Sequence, residues 1–125
     1  MPAIRTAAPQ LLVDDLTSSL AFYRDRLGFA TDFVYADFYA SVSRDGATLH
    51  LKCAPKLEAD RRHRKAGEHI DVYFDVRDVR ALHDELARRG APIVQPLCEQ
   101  PWRQLDFVVE DPDGYIHCFS EPLPE

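Results

Sequence analysis

Apolar and polar residues alternate from Leu105 to Ser120, in two runs on either side of Pro112-Asp113-Gly114. Leu105, Phe107 and Val109 share one face of the first run, and Asp106, Val108 and Glu110 share the other. In the second run Ile116, Cys118 and Ser120 oppose Tyr115, His117 and Phe119. Proline presets φ for a turn and glycine tolerates the positive φ that closes it, so the stretch predicts a β-hairpin.

The rest of the chain reads as one unit written twice. Thr6 to Val13 is a short apolar run, a strand by pattern. Asp15 is an N-cap ahead of Leu16, Leu20, Tyr23 and Leu27 at helical spacing, and Gly28 suits the position just past the helix end. Thr31–Tyr35, Tyr39–Arg44 and Ala47–Cys53 predict three more strands, with Asp45-Gly46 as a tight turn. In the second copy, His69 to Val76 alternates Ile70, Val72, Phe74 and Val76 against His69, Asp71, Tyr73 and Asp75. Asp78 then caps a helix carrying Val79, Leu82, Leu86 and Ala87, which ends at Arg89-Gly90. Strands near Ile93–Leu97 and Gln104–Glu110 lead into the hairpin. Asp15 and Asp78, Gly28 and Gly90, and Gly46 and Gly114 are separated by nearly constant intervals, which implies an internal duplication. The expected fold class is α+β, two βαβββ modules in tandem. Module 1 spans residues 1–53, a charged linker 54–68, and module 2 residues 69–125.

Composition narrows the function classes. The 125 residues make one typical domain, and 46% of them are hydrophobic, enough for a real core. No apolar run approaches membrane-spanning length and the first residues lack a signal-peptide core, so a cytoplasmic protein without a membrane partner is expected. Cys53, Cys98 and Cys118 are odd in number and lack zinc-like spacing, which fits reduced thiols. A net charge of −6 argues against nucleic acid and favours neutral or cationic ligands. The basic run Arg61-Arg62-His63-Arg64-Lys65 reads as a solvated loop.

Three stretches carry a resemblance. Val13-Asp14-Asp15-Leu16, the run Ser19-Leu20-Ala21-Phe22-Tyr23-Arg24-Asp25-Arg26-Leu27-Gly28-Phe29, and Asp111-Pro112-Asp113-Gly114-Tyr115 resemble motifs of the vicinal oxygen chelate superfamily. That superfamily includes glyoxalase I, extradiol dioxygenases, fosfomycin-resistance enzymes and bleomycin-resistance proteins. The resemblance implies that the paired modules curl into a U-shaped cleft and that the protein is a homodimer, often with modules exchanged between chains. It also implies four inward positions, which bear metal ligands in the metal-dependent members. Motif spacing places them at Ala8, His50, Asp71 and Cys118. Alanine cannot ligate, and a lone thiol is a soft donor for a site that wants imidazole and carboxylate. No metal or other cofactor is therefore expected; were a metal held, His50 and Asp71 would be its ligands.

The candidate ligand-binding residues are His50, Asp71, Tyr73, Trp102, Asp106, Cys118 and Tyr39. Trp102, Tyr39 and Tyr73 offer flat surfaces for a planar group, Asp71 and Asp106 attract positive charge, and His50 offers a neutral hydrogen-bonding group. Cys118 is read mainly as a small buried residue and His117, on the helix side, as structural. Together these features predict non-enzymatic binding or sequestration of a small organic molecule, planar and neutral or cationic, as in the bleomycin-resistance group. No catalytic residue is assigned. The alternative is a metal-dependent lyase or dioxygenase of the glyoxalase type.

Overall fold

A computed structural model of the chain describes residues 2–54 and 69–124. The chain divides into two compact units, Met1–Leu57 and Glu58–Glu125. Apart from Ala54, the linker expected over 54–68 lies outside the described residues, as does the basic run Arg61 to Lys65.

The first unit contains β1 (Gln10–Val13), α1 (Leu16–Asp25), β2 (Ala30–Tyr35), β3 (Tyr39–Arg44) and β4 (Ala47–Cys53). The second contains β5 (Val72–Asp75), α2 (Val79–Arg88), β6 (Ile93–Gln100), β7 (Gln104–Glu110) and β8 (Ile116–Pro122). Both are βαβββ modules with the same topology, β1-β4-β3-β2 and β5-β8-β7-β6, in which the first and last strands run parallel. No helix among the described residues is long and apolar enough to cross a membrane.

The helices begin and end where the chain can satisfy their free backbone groups. Asp15 caps α1 by accepting from the Thr17 N–H at 3.2 Å and the Ser18 hydroxyl at 2.7 Å. That hydroxyl holds the Asp15 carboxyl below its usual range. Asp78 caps α2 from a left-handed conformation, φ 63°, by accepting from the Ala81 N–H. Gly28 and Gly90 take the positive φ that stops each helix. Register places Leu11, Leu51 and Ala40 on one face of sheet 1 together with Val42 and Leu49, all of them buried. Helix α1 contributes Leu16, Ser19 and Tyr23 to the same core. Tyr23 is fully buried, edge-on to Phe29. In module 2, Phe107 and Phe119 stack at 5.2 Å and Phe119 stacks on Phe74 at 4.6 Å, with Val79 and Leu86 of α2 buried beside this layer.

Several strands differ in extent from the sequence pattern, three of them by more than two residues. β1 is ordered as strand only from Gln10, where pairing with His50 on β4 begins, and β5 only from Val72, where pairing with His117 begins. β6 runs on past Leu97 to Gln100 as an edge strand. Pro96, which has no N–H to donate, is accommodated there by a shift of register between Gln95 and Cys98.

Candidate functional site

The two faces of sheet 1 have different chemistry. The face away from the core carries Gln10 on β1, His50 on β4, Tyr39 and Ser41 on β3, and Phe33 and Tyr35 on β2, as the cross-strand pairs Gln10/His50, Ser41/His50, Phe33/Ser41 and Tyr35/Tyr39 require. Phe33 lies parallel to Tyr39, with centroids 6.4 Å apart and planes 6° from coincidence. The His50 ring stands edge-on to both, 5.6 Å from Tyr39 and 6.4 Å from Phe33. Phe33 remains 47% exposed, because β2 is the edge strand and nothing in its own module covers that face. Polar groups tie the rings down. The Gln10 amide donates to the Tyr39 hydroxyl at 3.1 Å, and that hydroxyl lies 2.9 Å from His50 Nδ1. A bulge in β2 between Thr31 and Phe33 brings the Asp32 carboxylate under β3, where it accepts from Ser41 at 2.9 Å and Ser43 at 2.7 Å.

In module 2 the corresponding face is more closed. Asp106, Val108, Ile116, Cys118 and Ser120 are all buried on it. The Asp106 carboxylate, 6% exposed, accepts from the Gln100 amide at 3.1 Å. Burial, and then the neighbouring Asp106 carboxylate, push the Cys118 thiol up to about 12. It is therefore a neutral hydrogen-bond donor to Asp106 and a poor nucleophile at neutral pH. Ser120 donates to Gln104 at 2.9 Å. Tyr73 pairs with Cys118 in register yet is largely exposed.

The other sequence candidates are placed as follows. Asp71 is engaged by structure: one oxygen accepts from the Ile116 N–H at 2.8 Å and the other lies 2.9 Å from His69 Nε2. Trp102 sits in the turn between β6 and β7, 64% exposed, beside Arg103 at φ 66°. His117 is fully buried on the helix side, edge-on to Phe74, with Nε2 3.8 Å from the Asp111 carboxylate. Asp111 also accepts from the Asp113 and Tyr115 N–H groups at 2.9 and 2.8 Å, so the Asp-Pro-Asp-Gly motif is a self-satisfied turn with both aspartates buried. Within either module, among the described residues, no three His, Cys, Asp or Glu side chains gather around one point.

Sequence reasoning singled out His50 and Tyr39 and passed over Phe33, Gln10, Asp32 and Gln100. Phe33 has the parity of Tyr35 and faces Ser41 next to His50, a signal present in the alternation. Gln10 occupies in β1 the register position that Tyr73 holds in β5, which the duplication could have supplied. Asp32 depends on the bulge, which no pattern announces.

Comparison with known proteins agrees with this architecture. A family model described as Glyoxalase/Bleomycin resistance protein/Dioxygenase superfamily matches residues 5–119. Among solved structures, the chain is similar to the bleomycin-binding protein of bleomycin-producing Streptomyces verticillus in complex with copper(II)-bleomycin, with 26% identity, a TM-score of 0.73 and all of both chains covered. It also shares its fold with a glyoxalase/bleomycin resistance protein/dioxygenase from Alicyclobacillus acidocaldarius, at 16% identity and a TM-score of 0.80, over 99% of this chain and 96% of that one. TioX from Micromonospora sp. ML1 matches at 19% identity and a TM-score of 0.73, over 94% of this chain and 99% of that one. No curated protein sequence matches the chain. With two βαβββ modules of matching topology and a family match over nearly its whole length, the chain belongs to the glyoxalase/bleomycin resistance protein/dioxygenase superfamily.

Proposed function

We propose that the protein binds a small organic molecule carrying a planar group, without transforming it, on the open face of sheet 1. The observation that carries this reading is the stacked pair Phe33 and Tyr39 with His50 edge-on: an aromatic platform with one ring half-exposed and a hydrogen-bonding imidazole at its side. Such a surface gains dispersion and loses little conformational entropy when a flat ligand covers it. Trp102 offers a second open aromatic face. The net charge of −6 favours a neutral or cationic ligand. The likeness to a protein that binds bleomycin supports a ligand of that general kind.

The residues do not fit the metal centre of the metal-dependent members. Ala8 supplies no donor, and the remaining positions pair one imidazole and one carboxylate with a soft thiol, where such a site wants imidazole and carboxylate throughout. We propose that neither a metal nor another cofactor takes part. We also propose a cytoplasmic homodimer. In support, β2 is a sheet edge with Val34 and Tyr35 exposed, followed by an exposed Phe38, more apolar surface than a free edge usually presents.

Calorimetric titration of bleomycin, a planar cationic dye and a glutathione thioester into wild type and Phe33→Ala tests the reading, with the mixtures then checked for products. Saturable binding of the first two, weakened by the substitution and without turnover, is the expected result. Conversion of the thioester, or binding indifferent to Phe33, would overturn it.

A further inference from the structure

We propose that Gln10 and Tyr39 act as positioning residues that lock His50 into a single tautomer, making it a fixed hydrogen-bond donor that selects planar ligands bearing an acceptor. This rests on the ligand-binding reading above and names the chemistry that the platform recognises. The Gln10 amide nitrogen can only donate, so the Tyr39 oxygen accepts from it at 3.1 Å. The phenol has one proton of its own, and its neighbour on the other side is His50 Nδ1 at 2.9 Å. Donating that proton to Nδ1 makes Nδ1 an acceptor, and the neutral ring then carries its hydrogen on Nε2. No side chain among the described residues accepts from Nε2. The imidazole is held in place by its edge-on contacts with Tyr39 and Phe33.

A ligand lying on Phe33 therefore meets a preoriented N–H at its rim. A ring nitrogen, carbonyl, ether or hydroxyl oxygen there completes the bond, whereas an indole-type N–H in the same place confronts the imidazole donor and loses its own hydration. The register reinforces the assignment, because Gln10 and His50 are direct partners in the parallel β1/β4 pair and cannot drift apart without breaking the sheet.

Quinoline and indole make a matched pair of probes, fused bicycles of similar area in which one ring nitrogen accepts and the other donates. Titration by NMR of the 15N-histidine-labelled protein reads both the tautomer and the affinity. Wild type is expected to show His50 protonated on Nε2 alone and to bind quinoline about fivefold more tightly than indole, the worth of roughly one net hydrogen bond. Tyr39→Phe, which keeps the stacked ring, should release the tautomer to a mixture and erase the preference, and Gln10→Ala should do so in part. A proton on Nδ1 in wild type, equal affinities, or a preference that survives in Tyr39→Phe would overturn the inference. If neither probe binds, the platform reading itself falls and the selectivity falls with it.

Discussion

A phenylalanine left half-exposed on an edge strand gains little from its own fold, so Phe33 costs the folded protein hydration that a partner could recover. Its parallel contact with Tyr39 orders the ring while about half of the residue stays open. Phe33→Ala is expected to leave the melting temperature nearly unchanged and to weaken a planar ligand by about 1–2 kcal/mol, read by calorimetry. Cys118 shows the opposite situation. Its thiol is buried and held neutral, pushed up to about 12, while Cys98 on β6 is exposed. Iodoacetamide at pH 7.5 should alkylate Cys98 well before Cys118, as peptide mass mapping would show; modification of Cys118 at a comparable rate would mean that its surroundings are more open than described. At this scale the sequence was partly legible. Parity and motif spacing pointed His50 away from the core, and Tyr39 stood out only as a flat aromatic side chain; that the two lie 2.9 Å apart was not readable. Nor was the engagement of Asp71 with the Ile116 N–H, because it joins residues from opposite ends of module 2.

Elements were the most legible level, because alternation, N-caps and terminal glycines all pointed the same way. Asp15, Asp78, Gly28 and Gly90 bound the helices as their residue types demand. The pattern did not reveal what ties elements together. Glu121 on β8 accepts from the Asp78 and Val79 N–H groups at 3.0 Å each, clasping the start of α2. The Val79 and then the Asp78 N–H hold its carboxyl below the usual range. A carboxyl lowered in the folded state stabilises above its unfolded pKa and loses that contribution as pH falls through the folded one. Glu121→Gln should therefore melt lower than wild type at pH 7, with the gap closing as pH drops below about 4. A gap independent of pH would mean that the ionised clasp contributes nothing. The Asp111 turn is a second such tie. Asp111→Asn keeps one acceptor oxygen and should be tolerated better than Asp111→Ala, which strands two buried N–H groups and should cost about 2–4 kcal/mol in urea unfolding.

For the whole molecule, the duplication was readable because the same landmarks recur at matching intervals, and the two modules indeed share one strand order. Their chemistry has diverged. One outer face is an open aromatic platform; the other is a buried network of Asp106, Gln100 and Cys118. Family membership fixes the scaffold and leaves the activity to such side chains. The proposed homodimer gives a simple check: light scattering at micromolar concentration should return twice the chain mass of 14.3 kDa, and a clean monomer would contradict it. The central claim is that the open face of sheet 1 is a binding surface and not a reaction centre. NMR titration of the uniformly 15N-labelled protein with bleomycin tests it most directly. The account predicts saturable shifts concentrated at Phe33, Tyr39 and His50, with the ligand recovered intact. Binding that leaves those three residues unmoved, or recovery of a chemically altered ligand, would contradict it.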